Sequence, residues 1–180
     1  YGIIADVSSR TLDLFGETDI VALAERLGIE ALRMDYGFSE DEMEAIARRI
    51  PVCLNASTVP ASTSERIART AVRAIAIHNY YPRPETGLDR SFFDAANRRF
   101  AELGMEVYSF ISGDGGPRGV RGLRGPLHRG LPTLEDHRDA SPYAAFVDTV
   151  VNHGVDGVFV GDGLVGEGEA AGVRRFTETG

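Results

Sequence analysis

The sequence predicts an α/β fold with a parallel sheet, an incomplete (β/α)8 TIM barrel of about six βα units, on three observations. Short apolar, β-branched runs alternate with segments of helical period. Several helical segments stop on a glycine just before the next run. Polar side chains stand at the C-terminal end of run after run, where a barrel of this kind builds its site from several strands.

The elements follow in chain order. Residues 3–7 read as a strand whose end offers Asp6 and Ser8, and "DIVALAERLG" as the helix behind it. Residues 31–34 lead to Asp35 and then to "EDEMEAIARRI". Residues 52–54 deliver Asn55 and Ser57 ahead of "TSERIARTAVRA". Residues 74–77 end at His78 and Asn79. The helix "DRSFFDAANRRFAELG" comes next, where Phe92, Phe93, Ala96, Phe100 and Leu103 recur at helical steps and predict one buried stripe. Residues 106–111 hold Ser109, "SPYAAFVDTVVNHG" is the next helix, and residues 157–160 lead to Asp162. In "RLGIEALRMD", "ELGMEVYSF" and "NHGVDGVFVGD" the glycine suits the left-handed cap that other residues resist.

Such alternation means parallel strands, because parallel neighbours need a crossover and a helix is the usual one. An open doubly wound sheet is the other architecture of this pattern, and the strand-end polar residues favour the barrel. Six strands do not close an eight-stranded barrel. Residues 1–180 therefore read as a partial barrel domain, with two strands expected before Tyr1, where the chain enters "YGIIADVSS" abruptly.

Composition narrows the function. Against 19 basic side chains stand 27 acidic ones, and the net charge of −8 argues against a general nucleic-acid binder. Cys53 is the only cysteine, read as a small buried hydrophobe in a reducing compartment. No run approaches the length of a membrane span, and no signal-peptide layout opens the chain, so a cytoplasmic protein without a membrane partner is expected.

Two irregular stretches concentrate the polar chemistry. In "HNYYPRPETGL", residues 78–88, Pro82 and Pro84 stiffen a loop that presents Tyr81, Arg83, Glu85 and Thr86. In "RGVRGLRGPLHRGLPTLEDHR", residues 118–138, five arginines stand among glycines and prolines. A connection of that length inside a compact domain is usually a lid or binding loop, and guanidinium forks match phosphate or carboxylate oxygens. "PTLEDHR" reads as a helix start with Thr133 as N-cap. "SGDGGPRG" has the wrong spacing for a dinucleotide fingerprint and no helix is expected behind it. His78 and His137 with Asp35 and Asp162 raise a metal-dependent hydrolase as an alternative, but metal-ligand spacing is missing and neither metal nor cofactor is expected. His128 and His153 read as surface or helix-end residues. A non-catalytic phospho-sugar binder is the other alternative.

The segments "HNYYPRPETGLD" and "LRGPLHRGLPTLEDHR" resemble the two most recognisable stretches of the bacterial MupG-like 6-phospho-N-acetylmuramidase family, long known as outer surface proteins. "LRMDYGFS" and "LNAST" resemble its strand ends in the same order, and the likeness runs from Asp6 to about Gly163. Tyr80 stands where other members carry phenylalanine, and the surroundings of His128 and Arg129 also depart from the pattern. The resemblance implies a (β/α)8 barrel followed by a cyclophilin-like domain, of which this chain would lack the first two strands and the C-terminal domain. It also implies cytoplasmic hydrolysis of the β-1,4 bond between 6-phospho-N-acetylmuramic acid and N-acetylglucosamine, a step in peptidoglycan-sugar recycling.

Glycoside cleavage needs two carboxyl groups, and Asp35 with Glu85 is the expected pair, Asp6 the reserve. Arg83, Arg121, Arg124 and Arg138 are candidates to neutralise a small phosphorylated amino-sugar disaccharide. Asn55, His78, Asn79, Tyr81, Thr86, Glu135, His137 and Asp162 complete the candidate substrate contacts.

Overall fold

The structure, a computed structural model, describes residues 2–179. Six strands alternate with helices: β1 (Ile4–Val7), β2 (Ala31–Met34), β3 (Val52–Asn55), β4 (Ala74–Ile77), β5 (Glu106–Ile111) and β6 (Gly157–Val160). The α-helices are α1 (Thr11–Phe15), α2 (Ile20–Leu27), α3 (Glu40–Ala47), α4 (Ala61–Thr70), α5 (Arg90–Glu102), α6 (Pro142–His153) and α7 (Glu167–Thr179). The sheet is six-stranded and its order follows the chain, β1-β2-β3-β4-β5-β6. A doubly wound sheet reverses its order at a switch point; this sequential order fits an incomplete (β/α)8 barrel instead.

The chain divides into two compact units, Tyr1–Ile77 with Phe100–Glu106, and His78–Arg99 with Val107–Gly180. In the first unit β1 to β4 pair in parallel, with Ile4 opposite Ala31, Leu32 opposite Val52 and Cys53 opposite Ile75. Their buried Leu32, Val52, Cys53, Leu54 and Ala76 form a near-continuous apolar run, as strands covered on both faces require. Burial pushes the Cys53 thiol up to about 12, so it packs as a hydrophobe, as its sequence setting suggested. Asp19 opens α2 by accepting from the Val21 and Ala22 amides, at 2.9 and 3.3 Å, and also grips Arg49. Ser39 and Glu42 form a reciprocal capping box on α3. Gly28 closes α2 in the left-handed region at φ 69°.

In the second unit β5 and β6 pair in parallel, with Tyr108 opposite Gly157 and Ser109 opposite Val158. Ser141 caps α6, whose Pro142 occupies the first turn, where a missing N–H is harmless. Phe146 meets Phe176 of α7 edge-on, centroids 5.6 Å apart. A Cβ on Gly172 of α7 would stand only 3.0 Å from the Tyr143 ring, so this glycine permits a close helix approach.

Several sequence expectations change in detail. Phe92 is 46% exposed and lies off the buried stripe of α5, which runs through Phe93, Asn97 and Phe100. Asn97 is polar for a reason: its amide serves His78 and the His153 carbonyl. The helix expected from residue 63 begins earlier, at Ala61, and stops at Thr70. The short α1, the terminal α7 and a 3-10 segment at Gly116–Gly122, which begins inside the glycine-rich stretch, were not expected. No described helix is long and apolar enough to cross a membrane.

Candidate functional site

The site in the second unit is built by knitting together the two irregular stretches singled out in the sequence. The Tyr81 and Leu88 amides donate to the Pro132 and Thr133 carbonyls, and the Glu135 amide returns to Leu88. Thr133 is not a helix N-cap. Its hydroxyl donates to the Asn79 carbonyl at 2.8 Å and accepts from the Phe110 amide at 2.9 Å, stitching the first loop to β5. The expected helix at this point is a single 3-10 turn, Glu135–His137. Gly87 has no room for a side chain, because a Cβ there would lie 2.6 Å from Glu135 Oε2 and 2.7 Å from its backbone nitrogen.

Between these stretches lies a cleft of about 420 Å³, bounded by Tyr80, Pro82, Arg83, Arg124, Pro126 and Leu131 among others. Two guanidinium groups and no carboxylate line it. Neither Arg83 nor Arg124 has an ion-pair partner among the described residues, although acids outnumber bases in the chain. The Tyr80 ring packs edge-on against Phe110 at 5.3 Å, and Arg124 Nη1 lies 3.5 Å from its hydroxyl. Forked guanidinium donors of this kind match phosphate or carboxylate oxygens.

Other predicted site residues of this unit have structural partners. Arg138 is buried and its donors are engaged: Nε and Nη2 reach the two Glu135 oxygens at 2.6 Å each, Nη1 the Tyr81 carbonyl at 2.9 Å, and Nη2 the Arg83 carbonyl at 3.0 Å. Glu135 Oε1 accepts from the Glu85 amide at 2.9 Å and Oε2 from the Gly87 amide at 2.8 Å. Its carboxyl is held down at about 2 by the Arg138 guanidinium, with help from these two amides. Thr86 closes a turn by donating to the Arg83 carbonyl at 2.6 Å. Asp162 is buried and accepts from the Arg124 amide at 3.1 Å and the Gly113 amide at 3.4 Å. Glu85 itself is exposed, with a left-handed backbone at φ 64°. Arg121 is exposed, and Asn79 and Tyr81 are half-buried.

His78 is fully buried against Phe93 and its Nε2 meets Asn97 Oδ1 at 2.8 Å. Burial lowers it to about 4, so the ring is neutral at ordinary pH. His137 is buried too, facing Asp148 Oδ2 at 2.8 Å, and burial likewise lowers it. His153 does end α6 but is not a surface residue: it is 7% exposed, between Asp94 and Arg90. This buried ring cluster was invisible in the sequence, where its members stand far apart.

In the first unit, Asp35 follows β2 and is exposed. Asp6 pairs with Arg33 at 3.0 Å. Asn55 ends β3 and turns the chain by accepting from the Ser57 amide at 3.1 Å. Among the described residues no group of three or more His, Cys, Asp or Glu is placed to hold a metal ion. Asp114 holds the Gly116 and Gly166 amides at 2.7 and 2.9 Å, so the Gly116 N–H of the glycine-rich stretch already has a carboxylate partner.

A conserved protein of unknown function from a locus in Enterococcus faecalis, solved by crystallography, is 38% identical, with a TM-score of 0.85 over 99% of this chain and 50% of its own. The fold is shared by an uncharacterized B. cereus protein, 24% identical, with a TM-score of 0.75 over 96% of this chain and 48% of its own. The chain thus spans about half the length of these structures. No curated protein matches. Residues 1–175 match the family described as 6-phospho-N-acetylmuramidase, N-terminal, and the chain belongs to that family.

Proposed function

We propose that the protein takes part in the hydrolysis of the β-1,4 bond between 6-phospho-N-acetylmuramic acid and N-acetylglucosamine, in cytoplasmic recycling of peptidoglycan sugars. One observation supports this beyond family membership: Arg83 and Arg124 line an acid-free cleft without carboxylate partners, in a chain of net charge −8. A substrate bearing a phosphate and a lactyl carboxylate supplies the counter-charges. In this reading Arg83 and Arg124 bind the anionic groups, Arg121 assists from the same connection, and the Tyr80 hydroxyl and the half-buried Asn79 and Tyr81 hydrogen-bond the sugar.

Of the two carboxyl groups the chemistry needs, one is assigned to Glu85. It is an exposed carboxyl of this unit, whereas Asp162 is engaged by backbone amides and Glu135 by Arg138. Oxocarbenium-like cleavage then needs one carboxyl to protonate the leaving oxygen and the other to act as base or nucleophile. Product analysis tests the proposal. The full chain should release N-acetylglucosamine from the phosphorylated disaccharide and leave the unphosphorylated one intact. Equal turnover of both removes the arginine cleft from the reaction, and undiminished turnover by Glu85→Gln removes Glu85.

A further inference from the structure

We infer that Glu135 and Arg138 are positioning residues, a carboxylate–guanidinium clamp that fixes the backbone of Glu85 and Arg83 in their working arrangement before a ligand arrives. The inference rests on the reading that the Glu85 carboxyl and the Arg83 guanidinium act on the substrate. It also reassigns Glu135 and Arg138, which as sequence alone suggest ligand contacts.

The loop that carries Arg83 and Glu85 is exposed, and Pro82 and Pro84 fix some of its torsions without anchoring it. Glu85 adopts the left-handed region at φ 64°, which an L residue with a side chain resists and which persists only where surrounding contacts impose it. Beside the turn that Thr86 closes on the Arg83 carbonyl, one carboxylate supplies two of those contacts. Glu135 accepts from the amides on either side of Thr86, those of Glu85 and Gly87. Arg138 in turn binds both Glu135 oxygens and the carbonyls of Tyr81 and Arg83, and its Nη1 also reaches the Gly130 carbonyl at 3.4 Å on the opposite segment of the cleft.

The chain from Tyr81 to Gly87 is thereby held at four backbone points by two side chains. The Arg138 side chain is only 3% exposed and that of Glu135 30%, so the pair is sheltered from the water that weakens surface ion pairs. The depressed Glu135 carboxyl agrees with a permanently ionised acceptor, unsuited to proton transfer near neutral pH. A group without a free proton and without a free lone-pair direction serves the reaction by holding another group in place.

Glu135→Gln in the full chain tests this, because the amide keeps the size but accepts at one position only. Amide hydrogen exchange at Glu85 and Gly87 should accelerate by about tenfold or more while β5 and β6 stay protected. On the phosphorylated disaccharide, kcat should fall by roughly 10- to 100-fold with KM within about threefold, as expected when a reacting group is misaligned while ground-state affinity is kept. In a Glu85→Gln background the same change should cause no further fall, since Glu135 acts through Glu85.

Unchanged exchange at both amides overturns the clamp. A full additional loss in the double variant overturns its action through Glu85. If Glu85→Gln alone is fully active, the assignment of Glu85 fails, and the exchange result still decides the clamp. Should Glu135→Gln not fold, Glu135→Asp keeps the charge but is too short to reach both amides, and the same readouts apply.

Discussion

At the scale of single residues, the arginines divide by what they touch. Arg138 is enclosed by carbonyls and a carboxylate, Arg90 by Asp136 and Asp148, and Arg129 by Asp139. Arg83 and Arg124 point at a cleft without such partners. A charge-assisted hydrogen bond from guanidinium to phosphate is worth roughly 1.5–3 kcal/mol, so Arg124→Ala and Arg83→Ala should each lower kcat/KM on the phosphorylated disaccharide about 10- to 100-fold, mostly through KM. Arg124→Lys should recover only part of the loss, because the ammonium lacks the planar fork. Steady-state kinetics on the phosphorylated and plain disaccharides checks both, and an unaltered KM in both alanine variants contradicts the anion site. Residue types were legible here and residue partners were not. The concentration of arginine in residues 118–138 suggested an anion site, yet nothing in the spacing of Arg138 and Arg124 tells that one is buried and bound to carbonyls while the other faces the cleft. That distinction depends on which carbonyls the folded loops bring near, and the two nearest to Arg138, those of Tyr81 and Arg83, lie more than 50 residues away in sequence.

At the scale of elements, the strands were the most legible part. Four of the six strands have the bounds their apolar runs suggest, and β1 and β3 differ by one residue at an end, because a buried parallel strand is a continuous apolar run that little else imitates. Helix α7 escaped, and the reason for its Gly172, which lets Tyr143 approach, exists only in three dimensions. Thr133 escaped in the other direction: a threonine ahead of an acidic turn imitates an N-cap, but its hydroxyl is taken up by Asn79 and Phe110 of neighbouring segments. The joining of the two loop segments leads to a prediction at this scale. In Gly87→Ala the added Cβ meets Glu135 at 2.6 and 2.7 Å, partly against backbone, so the two segments must separate. Overpacking of this kind costs about 1–3 kcal/mol, and a lowered denaturant midpoint with an unchanged slope is the expected result. Gly16, whose Cβ position is open, has a left-handed φ of 64°, so Gly16→Asn serves as a control with little loss, since asparagine tolerates that region.

At the scale of the molecule, stability follows pH through groups that the fold keeps in one charge state. His78 is enclosed completely, and burial lowers it from 6.5 to about 4 even though the hydrogen bond to Asn97 opposes the shift. Burial lowers His137 in the same direction. A histidine with a lowered folded-state value takes up its proton more readily in the unfolded chain. Its stabilising contribution is therefore complete above pH 6.5 and is lost as the pH falls from 6.5 towards 4. For His78 that loss amounts to roughly 3 kcal/mol, a large part of the 5–15 kcal/mol that holds a domain of ordinary stability. Glu135, lowered to about 2, adds a second loss only below its ordinary value of 4.5, so the two windows separate. Urea denaturation of the full chain at pH 7.5, 5.5 and 4.5 should show stability declining across this range, before the carboxylate window is reached. His78→Gln, which retains a hydrogen-bonding group for Asn97 but carries no titrating ring, should start less stable at pH 7.5 and decline less steeply. If the variant and the parent fall by the same amount between pH 7.5 and 4.5, the buried ring is not what ties the fold to neutral pH, and protonation must act elsewhere.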